Sequence, residues 1–155
     1  MISEVQLREV MEGDLPIFFE QQLEPEANRM AAFPPRDREA LTAHWNKILG
    51  DEAVIKKAIL FNGQAAGNIV IYEQADKQLV GYWIGKEYWG RGIATRALSE
   101  LLGQVERRPL YAYAAKQNVG SMRVLEKCGF ALFGENKEFD ERLSEEVEEF
   151  ILILS

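Results

Sequence analysis

The chain has 155 residues, 47% of them hydrophobic, a formal net charge of −7 and one cysteine. That length fits one domain with a single sizeable core, and no apolar run approaches the roughly 20 residues of a membrane span. The acidic balance argues against broad nucleic-acid binding, which draws on clustered Lys and Arg; the lone Cys128 and lone His44 exclude an intrachain disulfide and a Cys- or His-cluster metal site.

Met1 to Val5 lack a basic stretch followed by an apolar one, so no signal peptide is expected and the cytoplasm is the expected setting. Val5 to Val10 alternates like a first strand. Asp14 before Leu15-Pro16 suits a helix start, with proline in the first turn and an end near Leu23. Glu24 to Pro35 carries three of the five prolines and reads as irregular, ahead of a second helix over Arg36 to Leu49. Ala53 to Phe61 and Ala65 to Glu73 read as strands, joined by the hairpin signal Asn62-Gly63. A turn at Asp76-Lys77 leads into a strand over Gln78 to Gly85.

The run Glu87-Tyr88-Trp89-Gly90-Arg91-Gly92-Ile93-Ala94-Thr95 then opens an amphipathic helix reaching about Val105. Two glycines and a small alanine where strand becomes helix let a backbone approach a bulky anion such as a pyrophosphate. The same turn also serves as a plain tight connection. It lacks the Gly-Lys-Ser/Thr of a P-loop, and Thr95 stands where a dinucleotide fingerprint has its third glycine or alanine. Pro109 to Ala114 is a short strand and Asn118 to Cys128 a helix that Gly129 stops. Asn118, Ser121 and Leu125 share one stripe of that helix, where Asn118 can also cap it; Arg123 and Lys127 share another, solvated face. Phe130 to Phe133 and Val147 to Leu154 form a last strand pair. The acids from Glu135 to Glu149 read as a solvated hairpin face, or as attraction for a cationic substrate.

These elements make an α+β domain over residues 1–155, with one mixed, mostly antiparallel sheet. The strand–helix–strand unit over 79–114 supplies a central parallel pair through a right-handed crossover.

The chain resembles the GNAT superfamily of acetyl-CoA-dependent N-acetyltransferases. Trp89-Gly90-Arg91-Gly92-Ile93-Ala94 stands for the family's Gln/Arg-x-x-Gly-x-Gly/Ala motif. Asn118, Ser121, Glu126, Lys127, Gly129 and Phe130 match its later motif. Trp89 departs from Gln/Arg. Tyr-Trp-Gly-Arg-Gly-Ile-Ala-Thr, Gly81 to Gly85 and Pro25 to Phe33 look like the branch resembling ribosomal-protein-alanine N-acetyltransferases.

The resemblance implies helices on both sheet faces and a V-shaped opening between the strands at 79–85 and 109–114. Backbone groups of Tyr82, Trp83 and Ile84 would pair with the pantetheine of acetyl-CoA. The amides of Gly90, Arg91, Gly92, Ile93, Ala94 and Thr95 would hold its pyrophosphate, and Asn118 its pantetheine arm. Arg91 would add charge at the rim, or stay a solvated turn residue. Acetyl transfer would be direct, with no metal and no enzyme intermediate, so Cys128 is expected to pack in the core. Leu125 falls where many members carry a tyrosine acid. Ser121, one turn earlier, matches the branch's serine and would donate to the departing thiolate. The strand at 79–85 carries no acid, which leaves Glu73, Glu26 or water as the base. Glu26, Met30 and Phe33 would line the acceptor site. Trp45 would line it too or pack in the core, the simpler role, and His44 stays unassigned. The acceptor would be a small-molecule amine or a protein N-terminus, and the last strand pair could extend a sheet into a homodimer. A second reading is a CoA-binding regulatory or sensor module without turnover.

Overall fold

Alternating apolar and polar side chains build one seven-stranded sheet in the computed structural model, which describes residues 4–155. Met1 to Ser3, on which the expected lack of a signal peptide partly rests, lie outside the described residues. The strands are β1 (Val5–Glu9), β2 (Ile55–Phe61), β3 (Gln64–Gln74), β4 (Lys77–Ile84), β5 (Leu110–Ala115), β6 (Ala131–Asp140) and β7 (Glu145–Leu154). Their order is β1-β2-β3-β4-β5-β7-β6. Every neighbouring pair is antiparallel except β4–β5, so the sheet is mixed, as expected.

Helices cover both faces. The helix α4 (Ile93–Gln104) presents Ile93, Ala97, Leu98 and Leu101 as one apolar stripe. With Leu125 of α5 (Val119–Lys127), it packs on Ile69, Ile71, Val80, Leu110 and Leu152. Leu98 and Leu101 are fully buried, each contributing about 2 kcal/mol by removal from water. The opposite face carries α1 (Leu15–Gln21), α2 (Pro25–Ala31) and α3 (Arg38–Leu49). Phe18 and Trp45 meet there at 5.1 Å, giving Trp45 its core role.

Three stretches differ from the sequence expectation. Glu24 to Pro35 contains α2, because Pro25 occupies the first helical turn, where a missing N–H costs nothing. The Glu24 carboxylate accepts from the Glu26 N–H, and Ala32 ends the helix in left-handed backbone. The proline-rich connection beyond is held by Gln22, which donates to the Arg36 carbonyl and accepts from the Arg36 N–H. Helix α3 starts at Arg38, where the Asp37 side chain accepts from the Ala40 N–H at 2.7 Å. The last hairpin is longer than expected. Its acids remain on strands because alternate side chains reach solvent, where lysines meet some of them.

Asp14 does stand before α1, but it caps no helix N–H with its side chain. It is 3% exposed and takes both guanidinium nitrogens of Arg8, at 2.7 and 2.8 Å, together with the Met11 N–H. The Arg8 hydrogen bond holds the Asp14 carboxyl below its ordinary range. Removing one partner strands the other, so Asp14→Ala is expected to cost roughly 2–3 kcal/mol at pH 7. Because the folded pKa lies below the unfolded value of about 3.9, this stabilisation is present above that value and fades as pH falls through the folded one. Urea denaturation at pH 7 and pH 3 checks it: the gap between wild type and variant narrows at pH 3.

Candidate active site

Strands β4 and β5 pair only at Gln78 with Leu110 and Leu79 with Tyr111, then part. Beyond that point β4 stays with β3, and the Gly85 N–H still donates to the Ala66 carbonyl at 2.9 Å. Backbone groups alternate along an antiparallel ladder. Those of Trp83 therefore face β3, and those of Tyr82 and Ile84 face the gap. This corrects the expectation for Trp83, whose backbone serves the sheet and whose ring serves the gap wall. Its indole N–H donates to the Gln21 carbonyl at 3.0 Å, and its ring meets Phe33 at 5.5 Å. Trp89 donates its indole N–H to the Ile84 carbonyl at 3.0 Å, so Ile84 offers the gap its N–H alone. A β carbon at Gly67 would collide with the Trp83 carbonyl, so glycine lets β3 lie this close beneath the site.

The glycine turn closes the end of the gap. Gly90 and Gly92 have φ of +78° and +73°, and a β carbon on either would meet open space. Glycine is needed here for left-handed backbone, not for want of room. Gly92 precedes α4 without a capping side chain, and the first helical bond runs from the Arg96 N–H to the Gly92 carbonyl. The N–H groups of Ile93, Ala94 and Thr95 are left for an anion at the positive end of the helix. Arg91 turns away, its guanidinium 5.6 Å over the Phe61 ring.

A cleft of about 360 Å³ runs between these walls. Of the expected residues it brings together Met30, Tyr82, Trp83, Ile84, Trp89, Gly90, Gly92, Ile93, Ala94, Thr95, Asn118 and Ser121. Ala27, Ala31, Tyr88, Gly120 and Val124 also line it and were not anticipated. Asn118 does cap α5, its Oδ1 accepting from the Ser121 N–H at 3.2 Å, which leaves its amide N–H groups for a ligand. The Tyr82 hydroxyl, which sequence reasoning missed, lies 2.8 Å from Ser121 Oγ. Burial pushes the Tyr82 hydroxyl up to about 12. Cys128 donates from Sγ to the Thr95 carbonyl at 3.5 Å, and burial raises its thiol, so it packs rather than reacts.

Neither expected carboxylate base reaches the cleft. Glu73 pairs with Gln78 at the closed end of β4, exposed and remote from Tyr82 to Ile84. Glu26 is bound by the Lys86 ammonium at 2.9 Å, which holds its carboxyl below the ordinary range.

A different acid, Glu149, stands on the sheet face covered by α2, level with Ala115 at the open end of β5. The hairpin's two faces differ in charge. On the α4–α5 side, Lys116 meets Glu135 at 2.7 Å and Glu148 at 3.8 Å, and Lys137 meets Glu146 at 3.2 Å. On the α2 side, Glu149 and Glu138 make no ion pair among the described residues. Glu149 is half-buried and accepts from Asn136 Nδ2 at 3.3 Å. Burial raises its carboxyl, Asn136 offsets part of the rise, and Glu138 adds to it. Burial, Glu149 and Tyr113 together raise the Tyr72 hydroxyl, so these side chains converge on the same face. Arg142, at the hairpin tip, donates to the Pro34 and Pro35 carbonyls and ties the hairpin to the segment after α2. In sequence Glu149 was one acid in a run, and only the alternation of the strand separates it from Glu148. Among the described residues, no group of three or more His, Cys, Asp or Glu is placed to hold a metal.

A family model described as an acetyltransferase (GNAT) domain matches residues 4–131. The Bacillus subtilis (strain 168) protein YdaF, provisionally named a ribosomal N-acetyltransferase, is 30% identical over 108 residues. The match covers 65% of this chain and spans 59% of that relative's length. A GNAT-family acetyltransferase from Bacillus anthracis superposes with a TM-score of 0.82 at 18% identity, over 97% of this chain and 93% of that one. The spermidine N-acetyltransferase from Vibrio cholerae, solved with CoA and spermine, gives 0.78 at 19% identity, over 96% and 95%. At such identities the two structures speak to the fold.

The need for glycine at position 92 is directly measurable. Gly92→Ala places a β carbon in left-handed backbone and is expected to cost about 1–2 kcal/mol. Gly103→Ala, within α4 with open space around it, is expected to gain about 0.5–1 kcal/mol. Equilibrium denaturation of the two variants should move in opposite directions.

Proposed function

The chain belongs to the GNAT acetyltransferase family, and on that premise we propose that it transfers the acetyl group of acetyl-CoA directly to a primary amine on a cationic acceptor. The carrying observation is the free β4 edge at Tyr82 and Ile84, facing a gap that ends on the uncapped start of α4. An extended arm pairs with such an edge as another strand would, and its pyrophosphate meets the N–H groups of Ile93, Ala94 and Thr95. Asn118 offers its amide to the arm from the other wall.

Bound acetyl-CoA supplies an activated thioester carbonyl. The Ile84 N–H is the donor on the β4 edge for negative charge developing on that carbonyl oxygen. No covalent intermediate is needed: the one cysteine, Cys128, is half-buried against the Thr95 carbonyl, and burial pushes its thiol up. Ser121 donates to the leaving sulfur. The acceptor approaches from the α2 face, past Met30 and Phe33, and Glu149 takes a proton from its ammonium. Unpaired Glu138 and Glu149 favour a positively charged amine there. Polyamines and basic protein N-termini both fit; the Vibrio cholerae relative is named a spermidine N-acetyltransferase and the Bacillus subtilis one provisionally a ribosomal N-acetyltransferase. The outer edge of β6, with exposed Leu132, Phe133 and Phe139, is where a second copy would extend the sheet.

Thiol release from acetyl-CoA, measured against spermidine and an alanine-initiated basic peptide, tests the activity. Acceptor-dependent release is expected with at least one of them. Tight acetyl-CoA binding with no release across a broad amine panel would favour the binding-module reading instead. A base must be deprotonated, so kcat/KM is expected to fall as pH drops through the raised Glu149 value. Glu149→Gln should remove that limb and lower kcat/KM at neutral pH by about 10²–10³-fold.

A further inference from the structure

Ser121 and Tyr82 come from opposite walls of the cleft, one from α5 and one from β4, and their hydroxyls meet at 2.8 Å. A hydroxyl pair has two possible directions, and only one leaves Ser121 a proton for a ligand. We infer that Tyr82 is a positioning residue: its hydroxyl donates to Ser121 Oγ and thereby frees the Ser121 proton for the leaving sulfur. The inference rests on the acetyl-transfer reading above.

Three observations set the direction. The Tyr82 hydroxyl has one proton and two acceptors within reach, Ser121 Oγ at 2.8 Å and the Ser121 carbonyl at 3.5 Å, and the proton belongs in the short contact, to Oγ. Burial holds the Tyr82 hydroxyl at about 12, so it stays a neutral donor across the working pH range. Among the described residues, Ser121 Oγ has no other hydrogen-bond partner. In particular, it makes no back-bond to the carbonyl one turn earlier, the usual resting place for a helical serine. Polarised by Tyr82, the Ser121 hydroxyl is a better donor than an isolated one. Leu125, one turn further along α5, is buried and supplies no proton.

The chemistry balances without another group. The C–N bond forms as the C–S bond breaks, and the C–S electron pair stays on sulfur. The acceptor ammonium loses two protons: Glu149 passes the first to solvent before attack, takes the second from the nitrogen as the amide forms, and returns it to solvent. The thiolate keeps its charge under the Ser121 hydrogen bond and is protonated by solvent on release. Tyr82 and Ser121 both keep their protons, so each turnover ends with the pair as it began.

Tyr82→Phe keeps the buried ring and removes only the hydroxyl. With a productive acceptor, kcat is expected to fall about ten-fold, the worth of one hydrogen bond to a charged sulfur, with KM for acetyl-CoA within two-fold. In a Ser121→Ala background the same change should have no further effect, because the two act as one device. A second readout needs no acceptor. Ultraviolet titration of the thiolate of CoA bound to wild type should show a thiol about ten-fold more acidic than in Tyr82→Phe, and equal acidity in Tyr82→Phe and Ser121→Ala. If wild type turns over and Tyr82→Phe matches it in both kcat and bound-thiol acidity, the inference is wrong. If no acceptor is turned over, the transfer reading fails, and the titration still decides what Tyr82 does to the bound thiol.

Discussion

The site depends on one constraint: β4 and β5 run parallel, pair for two positions, and then separate. A parallel pair cannot be closed by a tight hairpin and requires a crossover. Here α4 is that crossover, and it starts directly beyond the open end of β4. Parting leaves strand edge unpaired inside the fold, which is costly unless something bonds to it. The sheet uses each free group differently. Trp89 satisfies the Ile84 carbonyl from within the chain. The neighbouring N–H groups are left to a ligand. The gap is held open by packing on both sides: Leu98, Leu101 and Leu125 on one face, and the Trp83–Phe33 contact and the Gln21 bond on the other.

The gap also divides the chemistry. On the α4–α5 face lie the uncapped start of α4 and the Tyr82–Ser121 hydroxyls, suited to phosphate and to a departing thiolate. On the α2 face lie Glu149 and Glu138, suited to an ammonium. Strand alternation produces the division. Glu148 and Glu149 are adjacent in sequence, yet one meets Lys116 and the other accepts from Asn136 on the opposite side. A net charge of −7 therefore says less about the acceptor than the positions of two carboxylates do.

Much of this was legible in the sequence, for identifiable reasons. Gly90 and Gly92 announced a strand-to-helix turn because only glycine accepts that backbone readily. The Asn118-to-Phe130 segment fixed a second helix at the right separation, and the Asn62-Gly63 hairpin set the strand register. Other features were hidden because tertiary structure creates them. The prolines within Glu24 to Pro35 masked α2, since proline breaks a helix interior but Pro25 sits in a first turn. Asp14 marked a helix start in sequence, and only the fold pairs it with Arg8. Glu73 and Glu26 were reasonable bases by strand and loop position, but ladder register carries one to the closed end and Lys86 occupies the other. The Tyr82 hydroxyl had no sequence signal, because a strand tyrosine reads as packing until the helix opposite supplies its partner.

The central claim is that the free edge of β4 and the start of α4 form one continuous cradle for acetyl-CoA. Amide hydrogen exchange of the protein with and without acetyl-CoA tests it at single N–H groups. The account predicts slowed exchange at Ile84 and at Ile93, Ala94 and Thr95 together, with Trp83, already bonded to β3, unchanged. Saturating acetyl-CoA that protects none of these amides, or protects Trp83 in place of Ile84, would contradict it.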